Sequence, residues 1–175
     1  MPLRQGSAPI QEIEIRETYE EATLEGIRVL FREYQAMIGN VVCFQDFQAE
    51  VQSLPGRYAP PRGCLVHALV DGRLAGVVAL RGLAPQWAEV KRLYVRPEYR
   101  SLGIGRRLME AVLERAQRLE FQRVVLDTLP SMLEAHRLYQ QIGFQEIEAY
   151  YENPVPGTRF FEYRWHHEQA EESTR

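Results

Sequence analysis

The segment most informative about the fold is Arg100-Ser101-Leu102-Gly103-Ile104-Gly105-Arg106. It lies between an apolar run typical of a strand (93–95) and a run with helical periodicity (108–119). At the start of a helix, backbone N–H groups lack intrahelical partners and the helix dipole favours negative charge. Glycines 103 and 105 have no Cβ, so the main chain there can approach a ligand closely. The segment is therefore predicted to bind phosphate groups.

Positive charge is concentrated around this turn. From Lys91 to Arg107, six basic residues stand against one acidic residue, whereas the whole chain has a formal net charge of −3. A site for a polyanionic small molecule needs such a concentration. A solvated basic helix start, in which the glycines serve only the turn, is the alternative interpretation of the same residues.

Two common nucleotide-binding motifs do not match this sequence. A P-loop requires Gly-x4-Gly-Lys-Ser/Thr, and no such run is present, so nucleoside triphosphate hydrolysis is disfavoured. The dinucleotide fingerprint requires a third small residue where this chain has Leu108. A different phosphate-bearing ligand is therefore expected.

The pattern Arg100-x-x-Gly103-x-Gly105 between a strand and a helix resembles the acyl-CoA signature of the GNAT superfamily of N-acetyltransferases. The resemblance continues from the strand 89–95 through 96–99 to the segment 138–144, and with a weaker amino-terminal half it covers about residues 11–167. It implies an α/β fold, with a mixed, mostly antiparallel sheet of about six to seven strands and helices on both faces. One domain is expected over residues 11–167, with flexible termini at 1–10 and 168–175.

Composition agrees with one compact enzyme domain. At 175 residues, of which 45% are hydrophobic, the chain can bury one substantial core. No apolar run approaches the length of a membrane span, and the acidic balance disfavours general nucleic-acid binding. Cys43 and Cys64 lie in apolar surroundings without metal-like spacing, which predicts free thiols. We expect a cytoplasmic protein with no membrane or nucleic-acid partner and no metal.

The hydrophobic pattern predicts mixed α and β elements. Capping boxes at Thr18-x-x-Glu21 and Ser131-x-x-Glu134 are predicted to begin two helices, and Gly143 is predicted to end the second. A shorter helix should end at Pro55-Gly56, and Asp71-Gly72 predicts a tight hairpin turn. The predicted strands are 11–16, 65–70, 74–80, 88–95, 124–126, 144–151 and 159–165.

The strand before the glycine turn has an irregular alternation. Val90, Leu93 and Val95 cannot share one face under strict alternation, and an extra residue of the kind a β-bulge supplies would resolve this. A bulge would leave backbone groups near Leu93 and Val95 free to face a ligand. In the GNAT resemblance, the pantetheine arm of acetyl-CoA lies in the gap between this strand and the next parallel one. An exposed strand with an irregular polar face is the alternative.

Acetyl transfer from a thioester to an amine needs a polarised carbonyl, a neutral amine and a proton for the departing thiolate. A backbone N–H near Leu93 or Tyr94 could stabilise the oxyanion. The resemblance places Tyr139 as the acid that protonates the sulfur. Glu89 could accept the amine proton directly or through water. The alternatives are that Tyr139 only packs in the core, and that Glu89 is a solvated strand-end charge while solvent collects the proton.

The predicted site is therefore specific. The predicted catalytic residues are Tyr139 and Glu89, and the predicted acetyl-CoA contacts are Leu93, Tyr94, Val95, Arg100, Ser101, Leu102, Gly103, Ile104, Gly105, Arg106, Ser131 and His136. A lone histidine such as His136 is also typical of packing or of a surface position. Cys64 has no histidine or acid near it in sequence, so it is interpreted as a core thiol rather than an acyl-accepting nucleophile.

The acceptor is the least determined part of the prediction. Candidate acceptor surfaces are the segment 34–47, the loop near Tyr58 and the aromatic segment with Tyr150, Tyr151, Asn153 and Phe160. Aromatics with a few polar groups suit a small amine, an amino acid or an aminoglycoside-like ligand, and they equally suit core packing or a dimer contact. We expect a small-molecule amine rather than a protein as the acceptor, and a monomer or a homodimer. A protein-acetylating enzyme and a non-catalytic acyl-CoA sensor or partner-binding module are the other interpretations.

Overall fold

The computed structural model describes residues 10–39 and 44–165. The helices are α1 (Glu21–Ile38), α2 (Phe44–Gln52), α3 (Ile104–Arg118) and α4 (Leu133–Ile142). The strands are β1 (Ile13–Glu17), β2 (Cys64–Val70), β3 (Arg73–Ala84), β4 (Trp87–Val95), β5 (Arg123–Thr128), β6 (Gln145–Ile147) and β7 (Arg159–Arg164). The predictions for Cys43, and for the chain ends up to residue 9 and from residue 166, lie outside the described residues.

The seven strands form one sheet in the order β1-β2-β3-β4-β5-β7-β6. All neighbouring pairs are antiparallel except β4 and β5, which run parallel at the centre. Such a parallel pair needs a crossover connection, and α3 supplies it. The predicted α/β class, strand number and mixed pairing are confirmed.

Helices cover both faces of the sheet, as predicted. Apolar side chains of α3 and α4 pack on one face, where Leu108, Met109 and Tyr139 belong to the larger core. On the other face, α1 and α2 contribute Ile27, Phe31 and other side chains to a second core. The central strands therefore bury side chains against a helical layer on each face of the sheet.

The two helix starts differ from the predicted capping boxes. The structure begins α1 only at Glu21, with Glu20 as N-cap, and the Thr18 hydroxyl accepts from the Glu20 N–H at 3.3 Å instead. Helix α4 begins at Leu133, and no side chain caps it. The prediction at Thr18 failed because a Thr side chain also forms local turn hydrogen bonds outside helices. The Gly143 end is confirmed, with a φ of 117° in the left-handed region.

The predicted turn of the first hairpin is confirmed, whereas the predicted length of the strand that follows Gly143 is wrong. Asp71 and Gly72 have φ angles of 49° and 75°, as the predicted tight hairpin requires. The predicted strand 144–151 pairs with β7 only over residues 145–147. The rest of that segment is a loop, because Tyr150 and Tyr151 hydrogen-bond to carboxylates of the central strands. This loop reaches the site described next.

Candidate active site

A cleft opens at the centre of the sheet, where β4 and β5 separate. Their parallel pairing ends at Glu89 and Val125. Beyond that point lies a cleft of about 240 Å³. Its walls are Tyr34, Ile38, Val90, Lys91, Arg92, Leu93, Leu126, Asp127, Thr128, Leu129, Met132, Tyr139, Tyr151, Asn153, Pro154 and Val155. The cleft can therefore receive an extended ligand between two central strands.

A β-bulge in β4 shapes this cleft, as the alternation predicted. Val77 pairs with Tyr94 and Ala79 with Lys91, so one residue of β3 lies opposite two of β4. The bulged Arg92 has a φ of 60°. The extra residue lets Val90, Leu93 and Val95 face the core under α3 and α4, while the Tyr94 side chain is buried on the opposite face. The predicted bulge and its physical reason are confirmed.

The start of α3 is open to a ligand. Gly103 is its N-cap, with a φ of 74° and ψ of 13°, and no side chain caps the helix. The first intrahelical bond runs from the Arg107 N–H to the Gly103 carbonyl at 3.2 Å, so the preceding N–H groups point out of the helix end. A Cβ on Gly103 would meet no atom within 4 Å. Ser101 also has a positive φ, 69°, and Leu102 is exposed, whereas Ile104 anchors the helix in the core.

Gly105 has a different role from Gly103. A Cβ at residue 105 would lie 3.3 Å from the Leu138 side chain of α4, and its φ is not in the left-handed region. On its Cβ side, the close approach that Gly105 permits is therefore one between α3 and α4. A contact of its backbone N–H with a ligand stays a prediction.

The positive charge around the turn is partly neutralised inside the protein. Lys91, Arg92 and Arg96 pair with Asp127, Glu50 and Glu33 of other elements. Arg100 donates through Nε to the Val95 carbonyl at 3.1 Å, and Arg106 pairs with Glu110 one helical turn later. The charge available to a polyanion is thus smaller than the sequence count predicts, and it lies at the helix end.

Tyr139 lies on α4 and lines the cleft on the side of the larger core. Its ring packs against Phe144 and Phe161, at centroid distances of 5.8 and 6.1 Å. Burial raises the pKa of the Tyr139 hydroxyl well above its usual value, and the nearby Tyr34 and Asp127 raise it further. The phenol therefore stays protonated at neutral pH and can donate a proton or a hydrogen bond into the cleft.

Glu89 is 1% exposed, so it is not a solvated strand-end charge. Arg81 pairs with its Oε1 at 2.7 Å, and the Tyr150 hydroxyl donates to its Oε2 at 2.6 Å. Glu89 lies at the point where β4 and β5 separate, immediately before the cleft-lining Val90. Proton transfer to Glu89 would have to pass through Tyr150 or a water molecule, and its role as a base stays a prediction.

Ser131 and His136 lie at the beginning of the segment that carries Tyr139. Ser131 is exposed, and its carbonyl accepts from the Leu133 N–H at 3.0 Å. His136 is buried; its Nε2 lies 3.0 Å from the Leu129 carbonyl and its Nδ1 lies 3.0 Å from Arg159. Burial lowers the pKa of His136, which favours the neutral ring. With both ring nitrogens engaged, His136 positions Leu129 in the cleft wall, and a direct cofactor contact stays a prediction.

The opposite side of the cleft is a polar network that the sequence analysis only partly located. Asp127 accepts from Lys91 at 3.0 Å, from the Tyr151 hydroxyl at 2.5 Å and from the Asn153 amide at 3.0 Å. Burial raises the pKa of Asp127, but Lys91 and Tyr151 outweigh it and hold that pKa below its usual value. Tyr151 and Asn153 were among the candidate acceptor residues; Asp127 was missed. An acid that ends the apolar run 124–126 was the available signal.

A second missed pair lies beneath the bulge. The Arg92 guanidinium forms a two-pronged contact with the Glu50 carboxylate, from Nη2 to Oε2 at 2.6 Å and from Nε to Oε1 at 3.3 Å. Tyr58 is fully buried and donates its hydroxyl to the same carboxylate. Tyr58 is therefore a support of this pair and does not line the cleft. The network connects α2 to the bulged strand that carries the site.

The residues that the structure describes contain neither a metal-ligand cluster nor a membrane-spanning helix. No cluster of three or more His, Cys, Asp or Glu side chains there is arranged around a possible metal ion. Within the same residues, no helix combines the length and the apolar character needed to cross a membrane.

Cys64 is buried, and burial raises the pKa of its thiol to about 12, which disfavours the reactive thiolate.

Comparison with known proteins identifies the family. The sequence profile described as "Acetyltransferase (GNAT) family" matches residues 15–144, which include β4, the glycine turn and α4. The chain belongs to the GNAT family of acetyltransferases. An "uncharacterized N-acetyltransferase" of Schizosaccharomyces pombe is 37% identical to this GNAT protein over 135 residues, which cover 76% of this chain and 83% of the relative.

Two further proteins bear on the site. The N-acetylaspartate synthetase of Xenopus tropicalis is 32% identical over 114 residues, which cover 61% of this chain and 42% of the synthetase. An acetyltransferase structure from Salmonella typhimurium, solved with acetyl-CoA, superposes with a TM-score of 0.71 at 14% identity, over 93% of this chain and 99% of that one. The last comparison confirms the GNAT fold.

Proposed function

We propose that this GNAT protein is an N-acetyltransferase that transfers the acetyl group of acetyl-CoA to a primary amine by direct attack in a ternary complex. Two observations together support this most: α3 begins with an uncapped, open helix end, and the cleft between β4 and β5 has Tyr139 in its wall. The helix end suits the phosphate groups of acetyl-CoA, and the cleft suits its pantetheine arm and thioester.

The residues present fit acetyl-CoA. The open space at Gly103 accommodates a diphosphate group close to the backbone. Inside the cleft, the Thr128 hydroxyl is buried without a hydrogen-bond partner among the described residues. A buried polar atom without a partner costs free energy, and an amide of a bound pantetheine arm would satisfy it. Acetyl-CoA supplies the thioester whose acetyl group is transferred.

The polar groups have roles that follow from their placement. A backbone N–H of the bulged strand near Leu93 stabilises the oxyanion, because charge develops there as the amine attacks the carbonyl. Tyr139, whose raised pKa keeps it protonated, gives its proton to the departing thiolate. Glu89, through the Tyr150 hydroxyl, or the solvent accepts the proton released by the amine.

The acceptor that we propose is a small molecule. Tyr151 and Asn153 make their side of the cleft polar, and both hydrogen-bond to Asp127, which also lines the cleft. The vertebrate relatives named N-acetylaspartate synthetase provide a precedent for a small amino-acid product in this family.

A thiol-release assay tests this function. The purified protein is incubated with acetyl-CoA and a panel of primary amines, and acceptor-dependent release of CoA is measured. We expect release with at least one small amine. Binding of acetyl-CoA without release for any amine would support the non-catalytic sensor instead, and transfer of labelled acetyl to lysate proteins alone would support a protein-acetylating enzyme.

A further inference from the structure

Lys91 is the only lysine in the sequence, whereas the other 20 of the 21 basic residues are arginines. It lies on β4, directly before the bulged Arg92, and its side chain lines the cleft. An arginine presents a flat fork of donors, whereas a lysine ammonium is a compact charge with three N–H donors. The cleft therefore has a single compact cation at its reactive end.

The neighbours of Lys91 leave it able to bind a ligand. Its Nζ lies 3.0 Å from Asp127 Oδ1 and 3.9 Å from Glu89 Oε1, and 17% of the side chain is exposed. Glu89 is already paired with Arg81 at 2.7 Å. One ammonium donor thus hydrogen-bonds to Asp127, whereas Glu89 lies beyond hydrogen-bond distance and no other described residue accepts a hydrogen bond from the ammonium.

The charges on the cleft wall favour an acceptor with a negative group. The charged residues in that wall are Lys91, Arg92 and Asp127. Arg92 is paired with the buried Glu50, and the buried Glu89 is paired with Arg81, so the charges left to a ligand are the Lys91 ammonium and the Asp127 carboxylate. A polycationic acceptor could pair only with Asp127 and would meet the like charge of Lys91, which is costly at low dielectric. A zwitterion would place its amine beside Asp127 and its anionic group beside Lys91.

Resting on the function proposed above, we propose that the acceptor is a small amine that also carries a carboxylate, as an α-amino acid does, and that Lys91 binds this carboxylate. The amine nitrogen forms a bond to the acetyl carbon, and the carbon–sulfur bond breaks. Tyr139 protonates the sulfur, and the amine proton leaves to Glu89 or solvent. The products are an N-acetylamino acid and free CoA. A charge-assisted hydrogen bond from the ammonium to the carboxylate orients the amine.

Paired acceptors test this proposal. Leucine, phenylalanine, glutamate and their α-amides are compared, together with spermidine, by kcat/KM at saturating acetyl-CoA. We expect the wild-type protein to prefer at least one free amino acid over its amide by about tenfold or more, which is 1.4 kcal/mol. The Lys91→Gln variant, which keeps a hydrogen-bonding side chain, is expected to lose most of that preference, because kcat/KM falls much more for the free amino acid than for its amide.

Arg123→Gln is the matched control. Arg123 lies on the neighbouring strand, is 15% exposed and pairs with Glu162 at 2.5 Å, but it is outside the cleft. It should keep the wild-type preference. Equal losses on acid and amide in Lys91→Gln, or a wild-type preference for spermidine or amides, would overturn the inference and leave the proposed function standing. Failure to acetylate any amine would overturn both.

Discussion

At the residue scale, the Tyr139 ring is buried in the core, and its position on α4 makes the residue part of the cleft wall. The ring contacts Phe144 and Phe161, so core packing sets the direction of the hydroxyl. None of the described side chains hydrogen-bonds to that hydroxyl. Core packing of the ring and an acid role of the hydroxyl are therefore compatible, because the packing holds the hydroxyl in place.

Removing the Tyr139 hydroxyl is expected to affect chemistry more than binding. Tyr139→Phe keeps the ring in the core but removes the proton donor, so kcat should fall by about 100-fold, the lower end for loss of a general acid. The dissociation constant of acetyl-CoA should change less than about threefold. Both are measured by thiol release and calorimetry on the same preparation.

Tyr163→Phe is the control for this change. Tyr163 packs against Phe144 at 5.4 Å in the same core and does not line the cleft. Its substitution should leave kcat near the wild-type value. A Tyr139→Phe protein with wild-type kcat would exclude the acid role.

At the element scale, the junction of β4 and α3 is where we propose that acetyl-CoA binds. The bulge at Arg92 turns the strand away from β5, and α3 begins with an uncapped helix end. Both features come from residues close together in the chain. The two glycines of the turn have different surroundings: a Cβ at Gly103 would face open space, and a Cβ at Gly105 would face α4.

Valine at Gly103 is expected to weaken acetyl-CoA binding by more than about tenfold, because the added side chain occupies the space before the helix end. The measurement is calorimetric titration with acetyl-CoA. Gly72→Val is a matched control, because Gly72 has a φ of 75°, close to the 74° of Gly103, and also has no atom within 4 Å of an added Cβ. Both variants carry similar backbone strain, of order 1–3 kcal/mol. Equal affinities in the two would show that the ligand binds elsewhere.

At the scale of the whole molecule, the site lies at the central strands of the sheet, between the helical layers that cover its two faces. The Arg92–Glu50 pair connects α2 to the bulged strand across the second core, and Tyr58 completes it. Burial raises the pKa of Glu50, but Arg92 and Tyr58 outweigh this and hold the pKa below its usual value. The pair therefore favours the folded state when Glu50 is ionised.

This pairing predicts a pH-dependent stability. Glu50→Gln should lower the free energy of unfolding at pH 7 by about 1–3 kcal/mol, because it leaves Arg92 without its anion. A lowered folded-state pKa gives stability that is present above the unfolded value, about 4.3, and lost as the pH falls below it. The difference between wild type and Glu50→Gln should therefore shrink below about pH 4. Urea unfolding at several pH values measures it, and a difference that did not change with pH would contradict the role of the charge. The pKa of Asp127 is also lowered, but Asp127 is present in both proteins, so its contribution to the pH dependence cancels in the difference.

The family and the fold class could be predicted because they rest on local patterns. Backbone sterics and hydrophobic periodicity set the geometry within a few residues at the turn 100–106, at the irregular alternation of Val90 and Leu93, and at Asp71-Gly72. The two predicted capping boxes were wrong: the Thr18 hydroxyl forms a local hydrogen bond outside α1, and no side chain caps α4.

Which ion pairs and hydrogen bonds form in and beside the cleft was decided by tertiary structure alone. Lys91 meets Asp127 across 36 residues, Arg92 meets Glu50 across 42, and Tyr150 meets Glu89 across 61. The sequence contains each of these charges but not their partners, because burial and the approach of distant strands select which ion pairs form. The order of strand, turn and helix was determined by the sequence itself; the charge balance of the cleft was determined only when the chain folded around it.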